Sequence, residues 1–283
     1  MKYKIVADSC CEFPKEWEND ERFERVALGL EVGGKVIMDD ETFDQAQFLK
    51  EVSGSRSCPR SFCPSPQKYV EAYDCDADVI FVFTLSSKLS GSFNAAAQGR
   101  RIYLDSLKKA NLPLKQIFIC DSKSASGGET HLAMKAYELC ESNLPYKDIC
   151  LKLMFLCNSM KTYFVLDSLD ALKKNGRMTS VESLLADALH IKPVLCGLDG
   201  EIAKLDQALG LHKAYEKLID KLIEDVKNIE KRTVIISQCN ALDKANEIKD
   251  LILSKVHNAK VIIMDTKGVS SLYAGNGGIV VTV

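Results

Sequence analysis

Three segments, YKIVAD, VIFVFT and QIFICD, are apolar along most of their length. A strand with one wet face alternates apolar and polar residues. Segments that do not alternate belong to a sheet covered on both faces. VIFVFT and QIFICD each pass through a serine- and glycine-rich turn into a segment with helical spacing: SFNAAAQGRRIYLDSLKKA after the first, GGETHLAMKAYELC after the second. Strand–helix alternation of this kind predicts an α/β fold with a mainly parallel sheet.

At 283 residues the chain is longer than one core comfortably holds, so two α/β domains are expected, 1–158 and 159–283. In the first, RVALGLEV and KVIMD flank Gly33-Gly34 as a hairpin. ETFDQAQFLKEV then reads as a helix, SGSRSCPRSFCPSP as an irregular stretch, and QKYVEAY as a helix opened by Pro66. The second begins with the strand KTYFVLDS and a short helix in LDALKKN. A helix in TSVESLLADAL follows, capped by Thr179 or Ser180. KPVLCGLDGEIAKLD is a strand pair around Asp199-Gly200, and a long helix is expected over 208–228. TVIISQC, a helix from Ala241, KVIIMD and GIVVTV complete a mixed sheet.

Composition excludes several functions. A net charge of −2 gives nucleic acid and anionic surfaces no general hold. No apolar run approaches the ~20 residues of a membrane span. The start, MKYKIVADSC, lacks a signal peptide's apolar region and cleavage site, so a cytoplasmic protein is expected. Cys120, Cys157, Cys196 and Cys239 lie within apolar segments, where cysteine behaves as a small hydrophobe. There is no C-x-x-C pair, and His131, His190, His212 and His257 have no ligand spacing, so no metal or cofactor is expected. No G-x-x-x-x-G-K-[ST], G-x-G-x-x-G or G-x-S-x-G motif occurs, and no catalytic residue is assigned.

In an open parallel sheet, ligands bind beyond the carboxyl ends of the strands. Asp8-Ser9, SSKLSGS (Ser86 to Ser92) and DSKSASGG fall at those ends. The last two also feed helix N-termini, where free N–H groups favour an anion. Serines cap helices routinely, so each loop alone has a purely structural reading. Together with Ser61, they suggest a floor of neutral hydroxyls, which suits a carboxylic acid better than a triphosphate.

Five stretches in order resemble the DegV family of bacterial fatty-acid-binding proteins. They are Asp8-Ser9; Pro59, Ser61, Pro64, Ser65 and Pro66; Ser86 to Ser92; Leu172 to Arg177; and I-K-P-V-L with D-G-E-I between Ile191 and Ile202. The resemblance implies two α/β domains with a lipid between them. It implies an acyl chain in an apolar tunnel and a carboxyl group held by hydroxyls matching Ser61 and Ser90. Ser61, Ser90, Gly91, Ser92, Asn94, Arg177, Tyr273 and Gly275 are the candidate ligand-binding residues. Such a protein is a carrier, not an enzyme. Some members present the bound acid to a separate kinase, related to dihydroxyacetone kinases, for acyl-phosphate formation.

Three departures bear on that last step. Family members often carry T-S-Q-P-S where this chain has Ser61-Phe62-Cys63-Pro64-Ser65. A K-V-R-T-R-like run is replaced by Gln207-Ala208-Leu209-Gly210-Leu211, so its arginines are gone. In place of T-H-x-G-P-G stands Leu272-Tyr273-Ala274-Gly275-Asn276-Gly277, with Tyr273 for the histidine. Carboxyl binding survives these changes better than kinase coupling. Two other readings stay open. One is an enzyme acting on a small carboxylated or phosphorylated metabolite at the same floor, through Asp8 or Lys88. The other is a redox protein using a reactive thiol at Cys10, Cys11 or Cys63, which requires a depressed thiol pKa.

Overall fold

The computed structural model describes residues 1–178 and 190–283. The helix expected in TSVESLLADAL, with its cap at Thr179 or Ser180, lies outside the described residues. The first half runs β1 (Tyr3–Asp8), β2 (Phe23–Val26), β3 (Gly29–Val32), β4 (Lys35–Met38), α1 (Gln45–Gly54), β5 (Arg60–Phe62), α2 (Pro66–Tyr73) and β6 (Val79–Thr84). It continues with α3 (Ser92–Lys109), β7 (Gln116–Asp121), α4 (Gly127–Glu141) and α5 (Tyr146–Ser159). The second half holds β8 (Thr162–Val165), α6 (Asp170–Lys174), β9 (Ile191–Leu198), β10 (Glu201–Leu209) and α7 (Leu211–Asp225). It ends with β11 (Thr233–Gln238), α8 (Leu242–Lys255), β12 (Lys260–Asp265), α9 (Gly268–Ala274) and β13 (Ile279–Thr282).

The chain is an α/β protein. Its first sheet has the order β2-β1-β6-β7, and every pairing is parallel. All six residues of β6 are buried, as a doubly covered strand requires. Side chains alternate across the pleat. Val79, Phe81 and Phe83 join Leu132, Ala136, Ile149 and Leu153 of α4 and α5. Ile80 and Val82 join Tyr69, Tyr73, Ala96 and Tyr103 of α2 and α3. Helices α2 and α3 meet closely because Gly99 has no side chain. A Cβ there would lie 2.7 Å from the Pro66 carbonyl oxygen and 2.8 Å from Tyr69 Cβ. Gly99→Ala is therefore expected to cost about 1–3 kcal/mol by overpacking, read as a lower urea midpoint at unchanged slope.

RVALGLEV is not one strand. Its start is the end of β2, in the parallel sheet, and its end is β3, which pairs with β4 and β5 in a separate three-stranded antiparallel sheet. The switch occurs at Leu28, whose N–H donates to Ser9 Oγ (3.0 Å) and whose carbonyl accepts from Asp39 N–H (2.9 Å). The Gly33-Gly34 turn closes β3 onto β4, with φ of +56° and +82°. Within the stretch expected to be irregular, Arg60–Phe62 pairs with β3 as β5.

The second sheet is mixed, in the order β10-β9-β8-β13-β11-β12. One face packs Tyr163, Val194, Ile236 and Val281 against Leu218 and Ile219 of α7 and Ile248 of α8. The other turns Phe164, Leu195 and Val280 toward Leu172 of α6 and Ala274 of α9. The long helix begins at Leu211, not 208, because Ala208 and Leu209 complete β10 and Gly210 turns the chain at φ +82°. Helix α4 touches β1 and β6 of the first sheet and β11 and β13 of the second. The inner face of the second sheet thus looks toward the strand ends of the first. Among the described residues, no helix is long and apolar enough to cross a membrane.

Candidate functional site

A cavity lies between these layers. The carboxyl ends of the parallel strands contribute Cys10, Leu85 and the segment from Lys123 to Ser126. Phe164 and Val280 of the second sheet, Leu172 after β8 and Val269 and Ala274 of α9 supply apolar wall.

Ser61, Ser90, Arg177 and Tyr273 all line this cavity. Each is placed by a local device. Ser61 stands on β5 opposite Leu30, and its Oγ lies 2.8 Å from the Tyr273 hydroxyl. Tyr273 projects from α9, and burial raises its hydroxyl pKa. Ser90 precedes α3, where its Oγ accepts from Ser92 N–H at 3.2 Å. Arg177 follows Gly176, whose φ of +70° ends α6, and Arg177 N–H closes the turn on Leu172 O at 2.9 Å. Its guanidinium donates to the Leu89 and Asn175 carbonyls and sits 5.7 Å from the Tyr273 ring centroid. The capping and cavity-facing roles of Arg177 therefore coexist.

The other candidates sit elsewhere. Ser92 is fully buried and shares a 2.6 Å hydrogen bond with the Tyr69 hydroxyl, tying α3 to α2. Gly91 is exposed at the helix entry, where a Cβ would meet Cys63 Sγ at 2.9 Å. Asn94 is exposed on α3. Gly275 ends α9 at φ +66°. None of these four is in the cavity wall. Ser86 and Ser87 are structural: Ser86 Oγ donates to Gly200 O at 2.6 Å, and Ser87 binds Asp121. Asp8 is buried and accepts from Cys10 N–H (3.1 Å) and Leu85 N–H (2.9 Å), joining the ends of β1 and β6.

Ser270, Val269 and Ala274 of α9 have no counterpart among the sequence candidates, whereas Ser124 and Ser126 come from the DSKSASGG loop. Ser270 and Ser126 flank Cys10: Ser270 Oγ donates to Cys10 O at 3.2 Å, and Ser126 N–H points to Cys10 Sγ at 3.4 Å. Ser126 Oγ lies 2.9 Å from both carboxyl oxygens of buried Glu12. Burial pushes the Glu12 pKa up to about 7. Burial also raises Asp8 and, with Asp8 beside it, raises Glu129 well above the usual carboxyl range. The Cys10 and Cys11 thiols are pushed well up by burial and then by Glu129. A reactive thiol needs the opposite shift, so the redox reading loses both of its buried candidates.

The α/β architecture matches a known family. A model of the DegV family covers residues 2–283. The chain belongs to the DegV family. A DegV domain-containing protein of Streptococcus gordonii is 30% identical, over 99% of this chain and 98% of its own. The crystal structure of a DegV family protein from Ruminococcus gnavus, refined with vaccenic acid, has a TM-score of 0.94 and 37% identity, covering 99% of each chain. The Streptococcus pneumoniae Fatty Acid Kinase (Fak) B3 protein, loaded with linoleic acid, has a TM-score of 0.90 and 27% identity. That match covers 100% of this chain and 99% of the other.

Proposed function

We propose that this DegV protein is a carrier that binds a long-chain fatty acid in the cavity, with the carboxyl group at Ser61, Ser90, Tyr273 and Arg177. The observation that carries this reading is the grouping of three hydroxyls and a guanidinium in the wall of a cavity otherwise rich in Leu, Val, Phe and Ala side chains. The acids held by the R. gnavus and S. pneumoniae proteins support it.

The physics divides the labour. A chain of ~14 methylenes gains on the order of 11 kcal/mol gross on leaving water, at about 0.8 kcal/mol each. Immobilising the chain consumes much of that gain. The hydroxyls contribute about 1 kcal/mol each and orient the acid. A carboxyl group buried without such partners would be strongly unfavourable. Ser61 Oγ and the Tyr273 hydroxyl are hydrogen-bonded to each other, and both can turn their O–H toward a bound carboxylate. Presentation to a dihydroxyacetone-kinase-like partner belongs to this reading through the resemblance to Fak B3. Leu209, 65% exposed, leaves the β10 end without an arginine for such a partner.

Mass spectrometry of the purified protein, native and then after organic extraction, tests the carrier reading. A stoichiometric fatty acid is expected. Ser90→Ala and Tyr273→Phe should each weaken retention about five- to tenfold, the loss of one hydrogen bond of about 1 kcal/mol. A protein that carries no lipid and ignores added fatty acids would instead favour the small-metabolite enzyme. Acyl-phosphate formation on adding ATP and a fatty acid kinase tests the coupling.

A further inference from the structure

Gly197 lies within β9. A Cβ built there would meet nothing nearer than Thr162 Cβ at 3.7 Å and Lys123 O at 3.8 Å, which is ordinary contact. Its φ is outside the left-handed region. Neither backbone nor packing requires glycine here, and glycine inside a strand weakens it. What the missing side chain does provide is space. Lys123, Ser124, Thr162 and Gly197 wall both the apolar cavity and a neighbouring pocket. That second pocket adds Asn158, Lys161 and Asp199.

The shared wall has a chemistry of its own. Ser124 Oγ and Thr162 Oγ1 lie 2.7 Å apart, and either can donate. Lys123 Nζ reaches Asn158 Oδ1 at 3.1 Å. Glu201, also in the cavity lining, adds a carboxylate acceptor. A terminal methyl group gains little among hydroxyls, an ammonium and a carboxylate. A terminal hydroxyl, which both donates and accepts, finds partners for both functions.

We propose that Gly197 holds open a passage to a second, polar subsite, which receives the ω-hydroxyl of a long-chain ω-hydroxy acid. The inference rests on the fatty-acid reading: the carboxyl group occupies the Ser61 region and the far end reaches Ser124 and Thr162. No charged ω-group is invoked, because Lys123 and Lys161 are balanced by Glu201 and Asp199 and offer a second carboxylate no net attraction.

The test is a binding series of saturated acids of increasing length, each measured beside its ω-hydroxy derivative, and read at the length that binds best. For the wild type, the two affinities should agree within about threefold, since the hydroxyl exchanges water for protein partners. Gly197→Val fills the passage with a residue suited to a strand and should lower the ω-hydroxy-to-plain affinity ratio about tenfold or more. Thr162→Val removes only the hydroxyl and should lower the same ratio about fivefold. A wild type that rejects every ω-hydroxy acid by about a hundredfold while binding the plain acids overturns this inference alone. So does a Thr162→Val protein whose ratio is unchanged, a result that decides the matter even where Gly197→Val does not fold. Failure of the plain acids to bind overturns the fatty-acid reading, and the inference with it.

Discussion

Asp39→Ala is expected to destabilise the protein by about 3 kcal/mol or more and to lower its lipid retention, because three donors lose one acceptor. The Asp39 carboxyl, fully buried, accepts from Gly268 N–H at 2.7 Å, Val269 N–H at 2.8 Å and Ser9 Oγ at 2.9 Å. The first two are opening N–H groups of α9, which have no partner within the helix. This short helix brings Ser270, Tyr273 and Ala274 to the cavity. Asp39 thus fixes, from the end of β4, the element that carries a proposed carboxyl ligand. Asp39→Asn keeps an acceptor and should cost less. Gly268→Ala attacks the same joint from the other side, since its Cβ would come within 2.5 Å of Asp39 Cγ and 2.8 Å of Leu30 Cδ1. Urea unfolding of the three variants checks the order. An Asp39→Ala protein within about 1 kcal/mol of wild type would show that water replaces the carboxyl, and the joint would not matter.

The parts of this fold that were legible in the sequence are those set by local pattern. VIFVFT reads as a doubly covered strand because five of its six residues are apolar without alternation, and Gly33-Gly34 and Asp199-Gly200 read as turns because they tolerate positive φ. Arg60–Phe62 was illegible as a strand. Its three residues carry no alternating apolar pattern, and only pairing with Leu30 and its neighbours makes them one. Helix α9 was hidden for a similar reason: seven residues, GVSSLYA, opened by a carboxyl group from 229 positions away. The site follows the same division. The hydroxyl-rich loops announced themselves by composition. Their separate assignments did not, since Ser90 faces the cavity while Ser92, two residues on, bonds Tyr69 within the core. Which way a serine points is decided by helix packing, and that is a tertiary fact.

Glu12→Gln, one hydrogen bond behind the cavity-lining Ser126, should change how stability depends on pH. The Glu12 carboxyl has an ordinary pKa of 4.5 and is raised to about 7 in the folded protein, chiefly by burial. Between those values the folded state binds more protons than the unfolded chain. The stabilising contribution of the neutral carboxyl is therefore complete below about pH 4.5 and is lost as pH rises through 7. The loss amounts to about 3 kcal/mol at 1.36 kcal/mol per pKa unit. Glutamine cannot ionise, has nearly the same shape, and keeps a carbonyl oxygen for the Ser126 hydroxyl. The variant should thus gain on the wild type by about 3 kcal/mol between about pH 4.5 and 8, measured as the difference between their urea unfolding curves. Asp8 and Glu129 are also raised by burial, so both proteins lose stability as pH rises, and only the difference isolates Glu12. Parallel curves would mean that Glu12 keeps its charge when buried. In that case the Ser126 and Ser270 hydroxyls, which favour the ionised form, outweigh burial. The cavity wall behind Cys10 would then carry a fixed negative charge against the acyl chain at every pH of interest, in place of a carboxyl group that stays neutral until pH 7.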